Sequence, residues 1–417
     1  MNLVLFCFQA YNDIDHLVPI ASKISQDRPD VKVVGVVFSA QDSFEDDFRL
    51  GYLERLGGDV HWLLSMDFMG LNKQALAIYK WGMKNAQSSP RFSVRGVASR
   101  LIRKALGRWL ERQFANFDAS LFLEAVAHMG SLRAVIHDHV HHSPQLNSLV
   151  KVAKDRGVYT AAAPHAVYTT ENLINTSAYL DPFLPPEPEP YIVDHVFMVN
   201  DNEIKARKRL LTNARQAVVL GSARFCKEWV SILRTISPKV QMPSAEGLFK
   251  IVIMVGRADY NVFVEEVHRI VEFVSRIPGV FLVVKPATRD PFYTGAVLKK
   301  NVTVVGNEVP SADLIDWADL VLFSLTSVVF DAIRLDKPVL YLRRTVANIA
   351  ITESAITSWN VDCRDDLRDR ILELKDKKAD RTYTRKERDV CLKKLIEPAG
   401  PDVLGKYASF ILESSGL

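Results

Sequence analysis

Residues 304–344 read "VVGNEVPSADLIDWADLVLFSLTSVVFDAIRLDKPVLYLRR". Two apolar runs within them, 320–324 and 338–342, are too short for helices and are bounded by turn residues, so both read as strands. A helix is predicted between them over 326–335, and a Pro-Ser start predicts another near 311–317. Strand, helix, strand is a crossover unit, and a crossover joins parallel strands. The turn "SLTS", 324–327, sets hydroxyls at Ser324, Thr326 and Ser327 where the helix is predicted to begin. Free N–H groups and the positive dipole end at such a point suit a phosphate, while Ser and Thr are also the residues that cap helices. Both readings stand on the residues alone.

The same rhythm runs outward in both directions. Downstream of the middle, strands are predicted at "KIVIMVG" (250–256), "VFLVVKP" (280–286) and "NVTVVG" (301–306), with a helix over 262–276. Upstream they are predicted at 2–8, 31–38, 134–137, 158–163, 195–199 and 217–221, with helices over 14–27, 145–156 and 201–212. The expected fold class is α/β, with two Rossmann-like doubly wound parallel-sheet domains and a cleft between them. "TISPKVQMPSAEGLF", 235–249, has no period and reads as a joint. The expected division is an N-terminal Rossmann-like domain 1–237, a linker 238–248, a C-terminal Rossmann-like domain 249–395 and a closing helix 396–417.

At 417 residues, 48% hydrophobic and 24% charged, the chain can bury two cores. Its 53 basic and 49 acidic residues leave a net +4, which excludes a chain-wide nucleic-acid coat, and no nucleic-acid partner is expected. Four scattered cysteines match neither a disulfide framework nor a zinc spacing and read as free thiols. The N-terminus lacks a basic signal-peptide start, and no run approaches the ~20 apolar residues of a spanning helix, so a cytoplasmic protein is expected. Basic character is local, in "RFSVRGVASRLIRKALGRWLER" (Arg91–Arg112), with seven cations, one acid and apolar residues at helical spacing. Such a helix either rests on anionic lipid at the inner membrane face or packs on its own sheet.

With these residues in place, the 304–344 block resembles the donor-nucleotide segment of GT-B glycosyltransferases. More narrowly it resembles the bacterial capsule and teichoic-acid group, which includes glycerophosphotransferases, polysialyltransferases and Kdo transferases. The resemblance implies that Ser324, Thr326 and Ser327 bind the donor, with Asp331 a structural, helix-facing residue. "GVYTAAAPHAVYTTENL", 157–173, is similar to the group's strand and "P/Q-H-G" loop, which makes His165 the cleft-facing catalytic or substrate-binding histidine, with Ala166 in place of the usual glycine. "FLVVKPATRDPF", 281–292, stands where relatives carry K-x-H-P; Lys285 keeps the lysine, Ala287 replaces the histidine, and Lys285 or Arg289 would balance the leaving diphosphate. Arg257 would face the same cleft, and Glu308 a ribose hydroxyl. "VVLGSARFCKEWV", 218–230, resembles a G-S/D-x-R/K-F segment that frames the hinge; Phe225 and Trp229, four apart, are predicted to share one helix face.

On the acceptor side, "QAYNDIDH" (9–16) follows the first strand, and Asp13 is either the cap of the first helix or the base that takes the acceptor proton. "IHDHVHH", 136–142, could align His137, His139 and His141 on one face, yet nothing completes a metal site and the resemblance implies none. The implied function is transfer of a sugar from a nucleotide sugar to a growing, lipid-linked surface polysaccharide, with no metal or other cofactor. Three alternatives stay open: a CDP-polyol phosphotransferase, against which Ala287 counts; a nucleotide-sugar 2-epimerase, which would want an acidic pair and a glycine-rich turn; and a non-catalytic nucleotide- or glycan-binding subunit.

Overall fold

A computed structural model describes residues 1–40, 44–88, 94–138, 143–165, 167, 190–256, 262–287, 299–306 and 308–417. Seven strands, β1 (Asn2–Phe8), β2 (Val31–Val37), β3 (Asp59–Trp62), β4 (Ser131–Asp138), β5 (Tyr159–Ala163), β6 (His195–Met198) and β7 (Ala217–Val219), form the first sheet. Their order is β3-β2-β1-β4-β5-β6-β7, and every pairing is parallel. The second sheet holds β8 (Phe249–Met254), β9 (Val280–Lys285), β10 (Val302–Val304), β11 (Leu320–Phe323), β12 (Val339–Leu342) and β13 (Asn360–Val361). It runs β10-β9-β8-β11-β12-β13, again all parallel, so the two domains repeat one doubly wound order.

The strands read as unbroken apolar runs because helices cover both faces of each sheet. In β1 the alternation of side chains sends Val4, Phe6 and Phe8 into one core and Leu3, Leu5 and Cys7 into the other. All six are fully buried. The short β3 and the helices Phe48–Arg55 and Lys73–Ser88 have no counterpart among the predicted elements. Their sequences are broken by charge and mix apolar with polar residues without a clean period.

The helix expected from Ser327 starts later, at Val329, and ends at Arg334. At its start the Phe330 and Asp331 N–H groups donate to the carbonyls of Ser327 and Val328, a tight i→i+3 turn that takes in those two residues. A second correction concerns the hinge-side segment. Its helix spans Lys227–Ile236, so Phe225 precedes it and does not share a face with Trp229. Phe225 enters the core of the second domain, with its ring 5.6 Å from that of Phe330, whereas Trp229 is buried in the first.

That segment is where the chain closes on itself. The helix Val403–Ser414 returns to the first domain, packing Val403, Leu404, Tyr407 and Ile411 with Leu17, Ile20 and Trp229. Tyr407 donates its hydroxyl to the Gly221 carbonyl at 2.9 Å, and the Ser222 N–H donates to the Ile396 carbonyl at 2.8 Å. Gly221 has φ +99°, and a Cβ there would stand 2.7 Å from the Ile396 oxygen. Only glycine fits both the angle and the approach. Gly221→Ala should therefore cost about 2–4 kcal/mol. Gly247 also has a positive φ, +70°, but with nothing within 4 Å, so Gly247→Ala should cost about 1 kcal/mol. Thermal unfolding of the two variants checks this, and equal midpoints would show that the contact with Ile396 is immaterial.

Candidate functional site

The helix Tyr11–Asp27 begins directly after β1, and its third residue is Asp13. The Asp13 carboxylate accepts the N–H groups of Gln9 at 2.6 Å and Ala10 at 3.1 Å, so it fulfils the capping role open to it in the sequence. Its other oxygen lies 3.6 Å from His165 Nδ1. Asp138, the last residue of β4, places Oδ2 at 2.9 Å from the same nitrogen. His165 follows β5 and is 17% exposed, while both aspartates are fully buried. Asn12 Nδ2 stands 3.1 Å from His165 Nε2. These groups therefore gather at the carboxyl ends of β1, β4 and β5. The strand order reverses between β1 and β4, and at such a switch point open α/β sheets bind their ligands.

Burial by itself would depress the His165 pKa, but hydrogen bonding to Asp13 and Asp138 and their negative charge outweigh it, raising the ring to about 9. Asp138 fixes the Nδ1–H. In the neutral ring Nε2 then accepts from the Asn12 amide; in the imidazolium the amide turns its oxygen inward. His16, buried behind this group, moves the other way, down to about 4, because burial dominates. His137 turns aside and pairs Nδ1 with the Asp138 carbonyl at 2.8 Å. Residues 139–142 lie outside the described residues, and with them the expected alignment of three histidines. Asp13, Asp138 and His165 do bring one potential ligand atom each within 4.8 Å of one another.

Beside this group runs a chain of paired charges. Arg224 donates Nη1 and Nη2 to the Asp331 carboxylate at 3.0 and 2.8 Å and places Nε 3.2 Å from Asp15. Arg49, 2% exposed, meets Asp15 at 2.5 Å and grips Asp47 through two nitrogens. Arg49 and Arg224 together hold the Asp15 carboxyl below the usual range, against the effect of burial. Asp331 belongs to the second domain, so Arg224 ties the two domains together next to His165. Val167, two residues past His165, is buried in the core of the second domain.

Across the cleft, the second sheet has its own switch point between β8 and β11. Ser324, 2% exposed, accepts the Gly256 N–H there at 2.8 Å and so joins the two strand ends. Thr326 accepts the Val328 N–H at 3.4 Å, and Ser327 is half-buried. Lys285 ends β9, where burial lowers its pKa and its ammonium donates to the Gly306 carbonyl. Glu308 accepts the Gly306 N–H at 2.8 Å and lends Lys285 negative charge. Lys285 and Glu308 thus form one small cluster around Gly306. Arg257 and Arg289 lie outside the described residues.

Asp138 is the site residue that sequence reasoning passed over, hidden in a histidine-rich run. Its signal was position, a carboxylate ending an interior apolar strand.

No family model matches the chain, and no curated protein matches it. Among solved structures it is similar over 100% of its length to a UDP-N-acetylglucosamine 2-epimerase (14% identity, TM-score 0.55, 97% of that chain). It is also similar to the MnaA protein of S. aureus solved with UDP (12% identity, TM-score 0.54, 100% of this chain and 98% of that one). A third is the glycotransferase of kitacinnamycin (13% identity, TM-score 0.53, 99% and 98%). These likenesses span both domains and, with the two parallel sheets, establish a GT-B fold.

Raised from 6.5 to about 9, the His165 pKa makes a contribution to stability that is complete below pH 6.5 and lost as pH rises through 9. NMR titration of the His165 ring should give a midpoint near 9, falling in Asp138→Asn. A midpoint near 6.5 would show that the carboxylates do not hold the proton.

Proposed function

We propose that the protein transfers a sugar from a nucleotide-activated donor to a hydroxyl of a growing glycan, with the acceptor at the first domain and the donor diphosphate over the second. The observation that carries this reading is the Asp13–His165–Asp138 group at the switch point of one parallel sheet, beside the second domain whose core takes in Val167. Neutral His165, oriented through Nδ1 by Asp138, takes the acceptor proton on Nε2 once the acceptor hydroxyl has displaced the Asn12 amide from that nitrogen, as the acceptor oxygen bonds to the anomeric carbon. The bond from that carbon to the diphosphate breaks, and the diphosphate leaves with the electron pair. The Ser324–Ser327 turn and Lys285 are the donor-side groups proposed to meet its charge. A lipid-linked surface polysaccharide is the acceptor that the sequence resemblance supports.

A UDP-sugar donor is favoured by the neighbour solved with UDP, which shares the whole length of the fold. The same comparison supports a second reading, 2-epimerisation of a UDP sugar, because a neighbour over the whole chain is a UDP-N-acetylglucosamine 2-epimerase. The acidic pair absent from the turn "SLTSVVFD" is present across the cleft as Asp13 and Asp138. NMR of UDP-N-acetylglucosamine incubated without acceptor separates the two: a 2-epimer favours the second reading, and an unchanged sugar the first.

Thermal-shift screening against UDP, CDP, CMP and GDP sugars should find one donor, stabilising by about 2.7 kcal/mol at a hundred times its dissociation constant. A shift only with CDP-polyols would favour polyol-phosphate transfer, and no shift with any of them would leave a glycan-binding subunit. With the donor identified, His165→Ala should keep its binding and lose about 10²–10⁴-fold in turnover. Because the base must be neutral, kcat/KM should rise with pH and level off above about 9. Unchanged turnover in His165→Ala, or a rate that falls between pH 7 and 9, would remove His165 as the base.

A further inference from the structure

The helices Lys73–Ser88 and Val94–Ala115 pack against each other in antiparallel fashion. A Cβ on Gly82 would meet Ile102 at 3.0 Å and the Ser99 carbonyl at 3.3 Å, and one on Gly107 would meet Tyr79 at 3.8 Å. The inward side is well anchored. Leu76, Tyr79 and Leu110 are buried in the core of the first domain, and the Tyr79 ring stacks on Trp62 at 6.3 Å.

The outward side is unusual for a soluble surface. Ile78 is 50% exposed, Trp81 43%, Val97 44% and Leu101 62%, four of the ten exposed large apolar side chains among the described residues. Lys104, Arg108 and Arg112 are exposed as well, and at 100° per residue they lie on the same face of their helix as Val97 and Leu101. Across both helices stand nine Lys and Arg residues against one acid, Glu111, an excess larger than the net +4 of the whole chain. The rest of the molecule is therefore net acidic, and positive charge is concentrated where the apolar side chains protrude.

We propose that this helix pair docks the protein on an anionic lipid surface, lying in the interface without spanning it. Charge complementarity draws the face to acidic headgroups, and Ile78, Trp81, Val97 and Leu101 enter the boundary below them. Trp is a residue that settles at that depth. Nucleic acid fits less well, because its charged backbone offers nothing apolar to cover Ile78, Val97 and Leu101. No helix among the described residues is long and apolar enough to cross a membrane. The inference rests on this surface alone and does not depend on the proposed reaction.

Co-sedimentation of the full chain with vesicles tests it. Binding should be strong to vesicles mixing phosphatidylglycerol with phosphatidylcholine, weak to pure phosphatidylcholine, and reduced by salt. Lys104→Gln with Arg108→Gln should lower the partition coefficient about tenfold or more. Trp81→Ser with Leu101→Ser should lower it while leaving the thermal midpoint in place, because both side chains are exposed. Equal binding to the two vesicle types, no change in either double variant, or binding to an oligonucleotide but not to phosphatidylglycerol vesicles would overturn the proposal.

Discussion

The two-handed grip of Arg224 on Asp331 is the interaction on which the relation between the two domains turns. Arg224 lies in the first domain just past Gly221, Asp331 in the second, and the same guanidinium reaches Asp15 at 3.2 Å. Asp15 is two residues from Asp13, so this contact between the domains is built into the helix that forms one wall of the His165 group. Burying charges this deeply is costly unless each has its partners, and here each has: Arg49 and Arg224 on Asp15, Asp47 on Arg49, Asp331 on Arg224. Arg334 reinforces this chain of pairs by donating to the Phe225 carbonyl at 3.0 Å and pairing with Glu397.

The fold was readable because both sheets are covered on both faces. Two-sided burial makes strands uniformly apolar, and the crossover helices give the alternating rhythm that runs from β1 to β12. Where that condition lapses, legibility lapses too. The edge strand β3, "DVHW", is only partly buried and carries no clear pattern. The start of the helix after β11 moved from Ser327 to Val329 because a tight turn takes in Ser327 and Val328 first. Phe225 and Trp229 have helical spacing, yet the chain enters its helix only at Lys227, and they serve the cores of different domains. Spacing cannot reveal where a helix begins when no side chain caps it.

The candidate site was legible in part for a similar reason. Asp13 could be picked out because it follows a strand, and loops at the carboxyl ends of strands are where such sheets hold ligands, whereas His165 was picked out because its loop after a strand resembles the P/Q-H-G loop. Asp138 lay in a run of histidines that pointed toward metal, and only the pairing of β4 between β1 and β5 places its carboxylate against His165. Arg224 was read mainly as frame, and it is frame, but of a kind that touches the acceptor side through Asp15. No sequence signal pairs residues 107 positions apart.

A histidine made unusually basic by two buried carboxylates is held beside the second domain by a buried ionic strap. The most direct test uses Arg224, which pairs with Asp331 and Asp15 and is neither the proposed base nor one of the proposed donor-side groups. In Arg224→Met the donor should still bind, since the second sheet is intact, whereas turnover should fall at least tenfold because Asp331 and Asp15 no longer share a partner. Turnover equal to that of the parent protein, measured with donor binding in the same preparation, would contradict the claim that the strap sets the geometry of the site.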